Sequence, residues 1–137
     1  MGKKTNITSG GNMLSFATIM LLAGIGIPVM AAMTSSLGKH LSSPVAASAF
    51  AFLMAFCIAL LALMITDKSF VKQIPSAPKY LFVAGAFIAF YVLSISFVAP
   101  HFGIGNAIFF VLLGQLLSAA IIDHYGLFGA QINHLSM

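Results

Sequence analysis

Residues 103–129 read GIGNAIFFVLLGQLLSAAIIDHYGLFG, and this stretch decides what kind of protein the chain can be. From Gly103 to Ile122 it carries no charge and is mostly apolar. At about 1.5 Å of rise per residue, a helix of that length crosses a bilayer core of roughly 30 Å. Gly114, Gln115 and Ser118 lie in its second half, and Asp123-His124 mark its end. A side-chain amide inside a membrane is unfavourable unless another group hydrogen-bonds to it. The other spans are therefore expected to pack where they can supply that partner.

Composition points the same way. Of 137 residues, 61% are hydrophobic and 6% charged, with a mean hydropathy of +1.09. Soluble domains carry about 25% charged residues, so the chain reads as an integral membrane protein with the lipid bilayer as its main partner. All six basic residues are lysines, and the only acids are Asp67 and Asp123. The lysines flank spans and form no stripe, which argues against a nucleic-acid partner and suits anionic head groups. The lone Cys57 falls within a span, has no intrachain disulfide partner, and reads as a small packing residue.

Four apolar runs are expected to span, at about 13–33, 44–65, 80–99 and 103–122, giving an all-α four-helix transmembrane bundle over 13–124. Residues 1–12 form a polar tail, in which Asn6-Ile7-Thr8 fits the glycosylation pattern, and 125–137 form a second tail too polar to cross. Lys3-Lys4 before an apolar run imitates a signal peptide, but the run is longer than a signal core and further spans follow. Gly24, Gly26 and Pro28 in the first span predict a kink, either from close packing or as a hinge beside a cavity. Thr34–Gly38 and Lys39-His40 read as a polar connection. In the second span Ser43, Ala47, Ala51, Ala55 and Ala59 recur every four residues, a flat ridge for a neighbouring helix, with Phe50, Phe52 and Phe56 off it. Pro75, Pro78 and the lysines mark an interfacial loop before the third span, which Pro100 is expected to end.

An even number of spans puts both termini and the middle loop on one side. That side holds Lys3, Lys4, Lys68, Lys72 and Lys79, and the other only Lys39, so the N-terminus is expected in the cytoplasm.

No span carries an interior carboxylate, so a proton-swapping acid deep in the membrane is not expected. No His, Cys, Asp and Glu residues fall at metal-ligand spacing, no cofactor motif is present, and no nucleophile stands near a base. The sequence gives no support for an enzyme. What remains is a polar line: Asn106, Gln115 and Ser118 on the fourth span, Tyr91 and Ser94 on the third. Gln115 and Ser118 share a helix face, and Gly114 with Ser118 makes a notch beside the amide. Interhelical hydrogen bonding, about 0.6–2 kcal/mol per contact, and a neutral lining for a solute are both open readings. Asp123-His124 reads as an interfacial pair.

Leu37-Gly38, Ser43-Pro44, Gly85 with Tyr91, Pro100 with Gly103, and above all GQLLSAAIIDHYG at 114–126 resemble the YdcZ-like family of small bacterial inner-membrane proteins in the drug/metabolite transporter superfamily. The resemblance covers the chain from about residue 13. It implies a half-transporter for small organic solutes whose cavity forms when two subunits pair, in opposite orientations, with Gln115, Ser118 and Asp123 at motif positions. The partner is then a second copy or a paralogous subunit of inverted topology. Thr34 and Ser36 stand where relatives often carry an Asn and a basic residue, and many relatives have a fifth span after the Asp-His pair. The alternatives kept beside a carrier are a passive pore built by the same dimer and an accessory membrane subunit that transports nothing.

Overall fold

The computed structural model describes residues 7–66 and 69–129, with side chains from residue 10 onward. Lys3, Lys4, Asn6, Asp67, Lys68 and the tail 130–137 lie outside the described residues. The chain is all-helical: α1 (Ile7–His40), α2 (Pro44–Thr66), α3 (Ala84–Phe102) and α4 (Ile104–Tyr125), with no strand among the described residues. Each of the four is long and apolar enough to cross a membrane. The connection between α2 and α3 is made of short 3-10 turns, at Ser69–Lys72, Ile74–Ser76 and Lys79–Val83.

The helices extend beyond the apolar runs that identify them. The Thr34–Gly38 segment, expected as a polar connection, is helical and forms the last turns of α1. Helix also begins at Ile7, inside the expected tail. α1 runs through Pro28 without an unwound segment, because one proline removes a single backbone donor from an otherwise continuous ladder. Gly24 and Gly26 are not used for close packing within the chain, since a Cβ at either would meet nothing within 4 Å. Pro100 likewise lies inside α3, which ends at Gly103.

Gly103 is the whole connection between α3 and α4. Its φ of 87° and ψ of 143° turn the chain back. Its N–H donates to the Ala99 carbonyl at 3.0 Å, and its carbonyl accepts from the Ala107 N–H at 3.1 Å. A side chain strains that positive φ, and glycine does not. At the α1–α2 turn, Ser43 caps α2, accepting the Ala46 N–H at 3.2 Å on its Oγ, and Pro44 takes the first helical position.

Packing is confined to the end where these two turns lie. Buried there are Ala31, Thr34, Ser35 and Gly38 of α1, Ala47 and Ser48 of α2, Ile95, Ser96 and Ala99 of α3, and Ala107 of α4. α1 packs on all three other helices, whereas α4 touches α1 and α3 but not α2. The small residues let backbones approach: a Cβ on Gly38 would sit 3.3 Å from the Pro44 Cα. Towards the other end, residues 10–26 of α1, 53–66 of α2 and 112–119 of α4 are exposed. The alanine ridge shows the same division, since Ala47 is buried, Ala51 half-buried, and Ala55 and Ala59 exposed. Exposed Leu, Ile, Phe and Met are what a lipid-facing surface requires.

If Gly103 is needed for its backbone conformation, Gly103→Ala lowers the unfolding free energy in bicelles by about 1–3 kcal/mol, the usual size of such strain. Equal stability of the two proteins, measured by steric trapping, would mean that the turn accepts a Cβ.

Candidate functional site

Tyr91 and Ser94 lie on the α3 face that turns towards α4. With Val98, Phe102, Ala107 and Phe110 they line a cleft of about 240 Å³. Phe102 and Phe110 wall its end near Gly103, their ring centroids 5.9 Å apart. Ile95 and Ala107 line it too and belong to a buried cluster with Ala99 and Ala31 of α1, on which Tyr91 packs.

The cleft is apolar except for its hydroxyls. The Tyr91 hydroxyl oxygen is buried and has no hydrogen-bond partner among the described residues. Leaving such a group unpaired is unfavourable by about 1–3 kcal/mol. The contrast with Ser96 is informative. Ser96, one turn on and 1% exposed, donates to the Val92 carbonyl at 2.7 Å or shares its proton with Ser48 of α2 at 3.0 Å. Ser48 in turn reaches the Pro44 carbonyl at 2.9 Å. Those two hydroxyls satisfy each other and pin α2 to α3. The sequence marks Ser48 only as a lone hydroxyl in an apolar run, and nothing local pairs it with Ser96, forty-eight residues away.

The remaining polar residues on α4 fall elsewhere. Asn106 donates from Nδ2 to the Phe102 carbonyl at 3.0 Å, supporting the α3–α4 turn from the outside. Gln115, Ser118 and Gly114 are exposed, and neither Gln115 nor Ser118 hydrogen-bonds within the described residues. Depth nevertheless links Gln115 with Tyr91. Each lies twelve residues from Gly103 along its helix, about 18 Å from the turn, hence at one level of the helix pair. Asp123 and His124 close α4 at its far end, where the imidazole stands edge-on to Tyr125 at 5.0 Å between ring centroids. The structure thus brings Tyr91 and Ser94 together, places Gln115 at their depth on an outward face, and leaves the Asp-His pair a helix half away. Among the described residues no group of His, Cys, Asp and Glu is placed to hold a metal.

Because the Tyr91 hydroxyl has no partner among the described residues, Tyr91→Phe is expected to leave stability unchanged or raise it by about 1 kcal/mol. A loss of similar size on unfolding would reveal a hydrogen bond that the chain itself supplies.

Comparison with known families places these features. No curated protein and no solved structure matches the chain. One family model, described as "Putative inner membrane exporter, YdcZ", matches residues 15–137 and so takes in all four helices, the cleft and the Gln115 face. With four membrane-length helices and that family's model matched over most of its length, the chain belongs to the YdcZ family of multi-pass inner-membrane proteins.

Proposed function

We propose that this chain is one half of a carrier for a small neutral or weakly polar organic solute. The cavity is completed when a second chain, a copy or an oppositely biased paralogue, packs in inverted orientation against the α3–α4 face. The observation that carries the reading is the orphaned Tyr91 hydroxyl in a cleft bearing no charged side chain. A site of about 240 Å³ lies below the roughly 300–1,000 Å³ of ordinary small-molecule pockets, as expected of half a site. Gln115, uncovered at the depth of Tyr91, is the group that a paired chain would turn from a lipid-facing liability into cavity lining. In this reading Gln115 and Tyr91 hold the solute's polar group, while Ser94, Ser118 and Asn106 add weaker polar lining. Gly114 gives clearance beside the amide, and Gly24, Gly26 and Pro28 let the loosely packed half of α1 bend. Asp123 and His124 sit at the membrane surface. Five lysines against one hold the N-terminus of this chain in the cytoplasm, which favours a paralogue as the inverted partner.

The test is solute flux in proteoliposomes, using a panel of radiolabelled neutral aromatic and hydroxylated compounds. At least one should show saturable flux that falls about tenfold in Gln115→Ala, the effect of one hydrogen bond of about 1.4 kcal/mol, with helix content and assembly unchanged. Unaltered flux in that variant removes Gln115 from the cavity. Flux that never saturates makes the assembly a passive pore, and no flux for any compound makes it an accessory subunit.

A further inference from the structure

The chain passes from α2 to α3 at the end remote from the two tight turns, through the 3-10 turns of residues 69–83. α2, the apolar stretch Lys79–Phe102 and α4 hold 23, 24 and 22 residues. Counted from the turns before Pro44 and at Gly103, all three end at about 33–36 Å, just past a bilayer core of roughly 30 Å. The connection therefore starts and finishes at the depth of the lipid head groups.

What this connection exposes is both apolar and basic. Phe70, Val71, Ile74, Tyr80 and Phe82 are exposed, and so are Lys72 and Lys79. No acid occurs in residues 69–83. Asp67 and Lys68, outside the described residues, carry opposite charges, and Asp123 near the end of α4 is half-buried. Tyr125 and Phe128, at and just beyond that end of α4, are exposed as well. The backbone suits a layer poor in free water, because many of its hydrogen bonds close locally. The Gln73 N–H donates to the Phe70 carbonyl at 2.9 Å, that of Ser76 to Gln73 at 3.1 Å, and that of Leu81 to Pro78 at 3.1 Å. Pro75 and Pro78 have no N–H to leave unpaired. A loop running through water gains nothing from large apolar side chains on its outer side. At a membrane surface the same side chains settle among the upper acyl chains, with tyrosine at head-group level and lysine towards phosphate.

We propose that residues 69–83 lie along the membrane interface and bind anionic phospholipid head groups. Lys72 and Lys79 meet the phosphates, and Phe70, Ile74 and Tyr80 sink among the upper acyl chains. Two cations with no acid between them select a lipid of net negative charge over a zwitterionic one, whose own cation they repel. An acidic soluble protein fits less well, because the apolar side chains beside the lysines lie at the depth of the lipid. This surface is separate from the Tyr91 cleft and binds whether or not the chain carries a solute.

The chain has no tryptophan, so Ile74→Trp gives a single fluorescent reporter within this surface. The full chain is placed in vesicles of equal parts phosphatidylcholine and phosphatidylglycerol, with one lipid or the other brominated high on its acyl chains. Quenching should show phosphatidylglycerol enriched about fivefold beside the tryptophan at low salt, the order expected of one lysine near an anionic surface. The enrichment should vanish in high salt and in Lys72→Gln/Lys79→Gln, and persist in Lys72→Arg/Lys79→Arg, with helicity equal throughout. Equal quenching by the two lipids would overturn the proposal, and so would a preference that survives the loss of both lysines. Quenching by aqueous acrylamide in place of brominated lipid would also overturn it, since the segment would then lie in water, open to a soluble partner.

Discussion

The fold depends on how closely three helices approach at one end of the bundle. In lipid there is little hydrophobic drive for one apolar helix to leave the solvent for another, so association rests on packing and interhelical hydrogen bonds. Both are concentrated here. Gly38 lets α1 meet the start of α2, Ala47 is wholly enclosed between them, and the Ser48–Ser96 hydroxyl pair joins α2 to α3. With that junction fixed, Gly103 returns the chain and lays α4 along α3 and α1.

Joining the helices at one end has consequences at the other. Helices that touch over a few turns and then separate leave grooves between them, and the α3–α4 cleft lies between two such helices. Beside the α3–α4 cleft lies a hydroxyl, that of Tyr91, which nothing among the described residues satisfies. The polar groups without a partner thus lie beside the cleft, as Tyr91 does, or face outward, as Gln115 does, while the Ser48–Ser96 pair holds the junction. For a member of an exporter family, this division separates the residues that make the fold from those left to meet something else.

Much of the fold could be read from the sequence because a membrane imposes a length on its helices. Four uncharged runs near twenty residues leave few alternatives to four spans, and GQLLSAAIIDHYG carries the family. Helix ends were less legible. Thr34–Gly38 looks like a loop by polarity, yet its small side chains are what the helix junction needs, so packing overrides composition there. Pro100 looks like a terminator, but a proline in a last turn removes one bond without ending the helix. The candidate site was legible in part. Tyr91 and Ser94 share a face by spacing alone, and the structure adds that the Tyr91 hydroxyl is stranded. Spacing also puts Gln115 and Ser118 on one face, but which neighbour that face meets is a tertiary property, and among the described residues both stay exposed. The Ser48–Ser96 bond was out of reach for the same reason, since it joins residues that no local pattern relates.

The central claim is that the uncovered α4 face at the depth of Gln115 belongs against a second, inverted chain. Site-directed crosslinking in native membranes tests it most directly, with single cysteines at Leu112, Leu116 and Ala119 in a Cys57→Ser background. Maleimide accessibility of a cysteine at Thr5 reports orientation alongside. The account predicts efficient crosslinks from these positions to another chain whose own N-terminus is labelled from the opposite side. Recovery of uncrosslinked monomer at every position, or crosslinks only between chains of the same orientation, would contradict it.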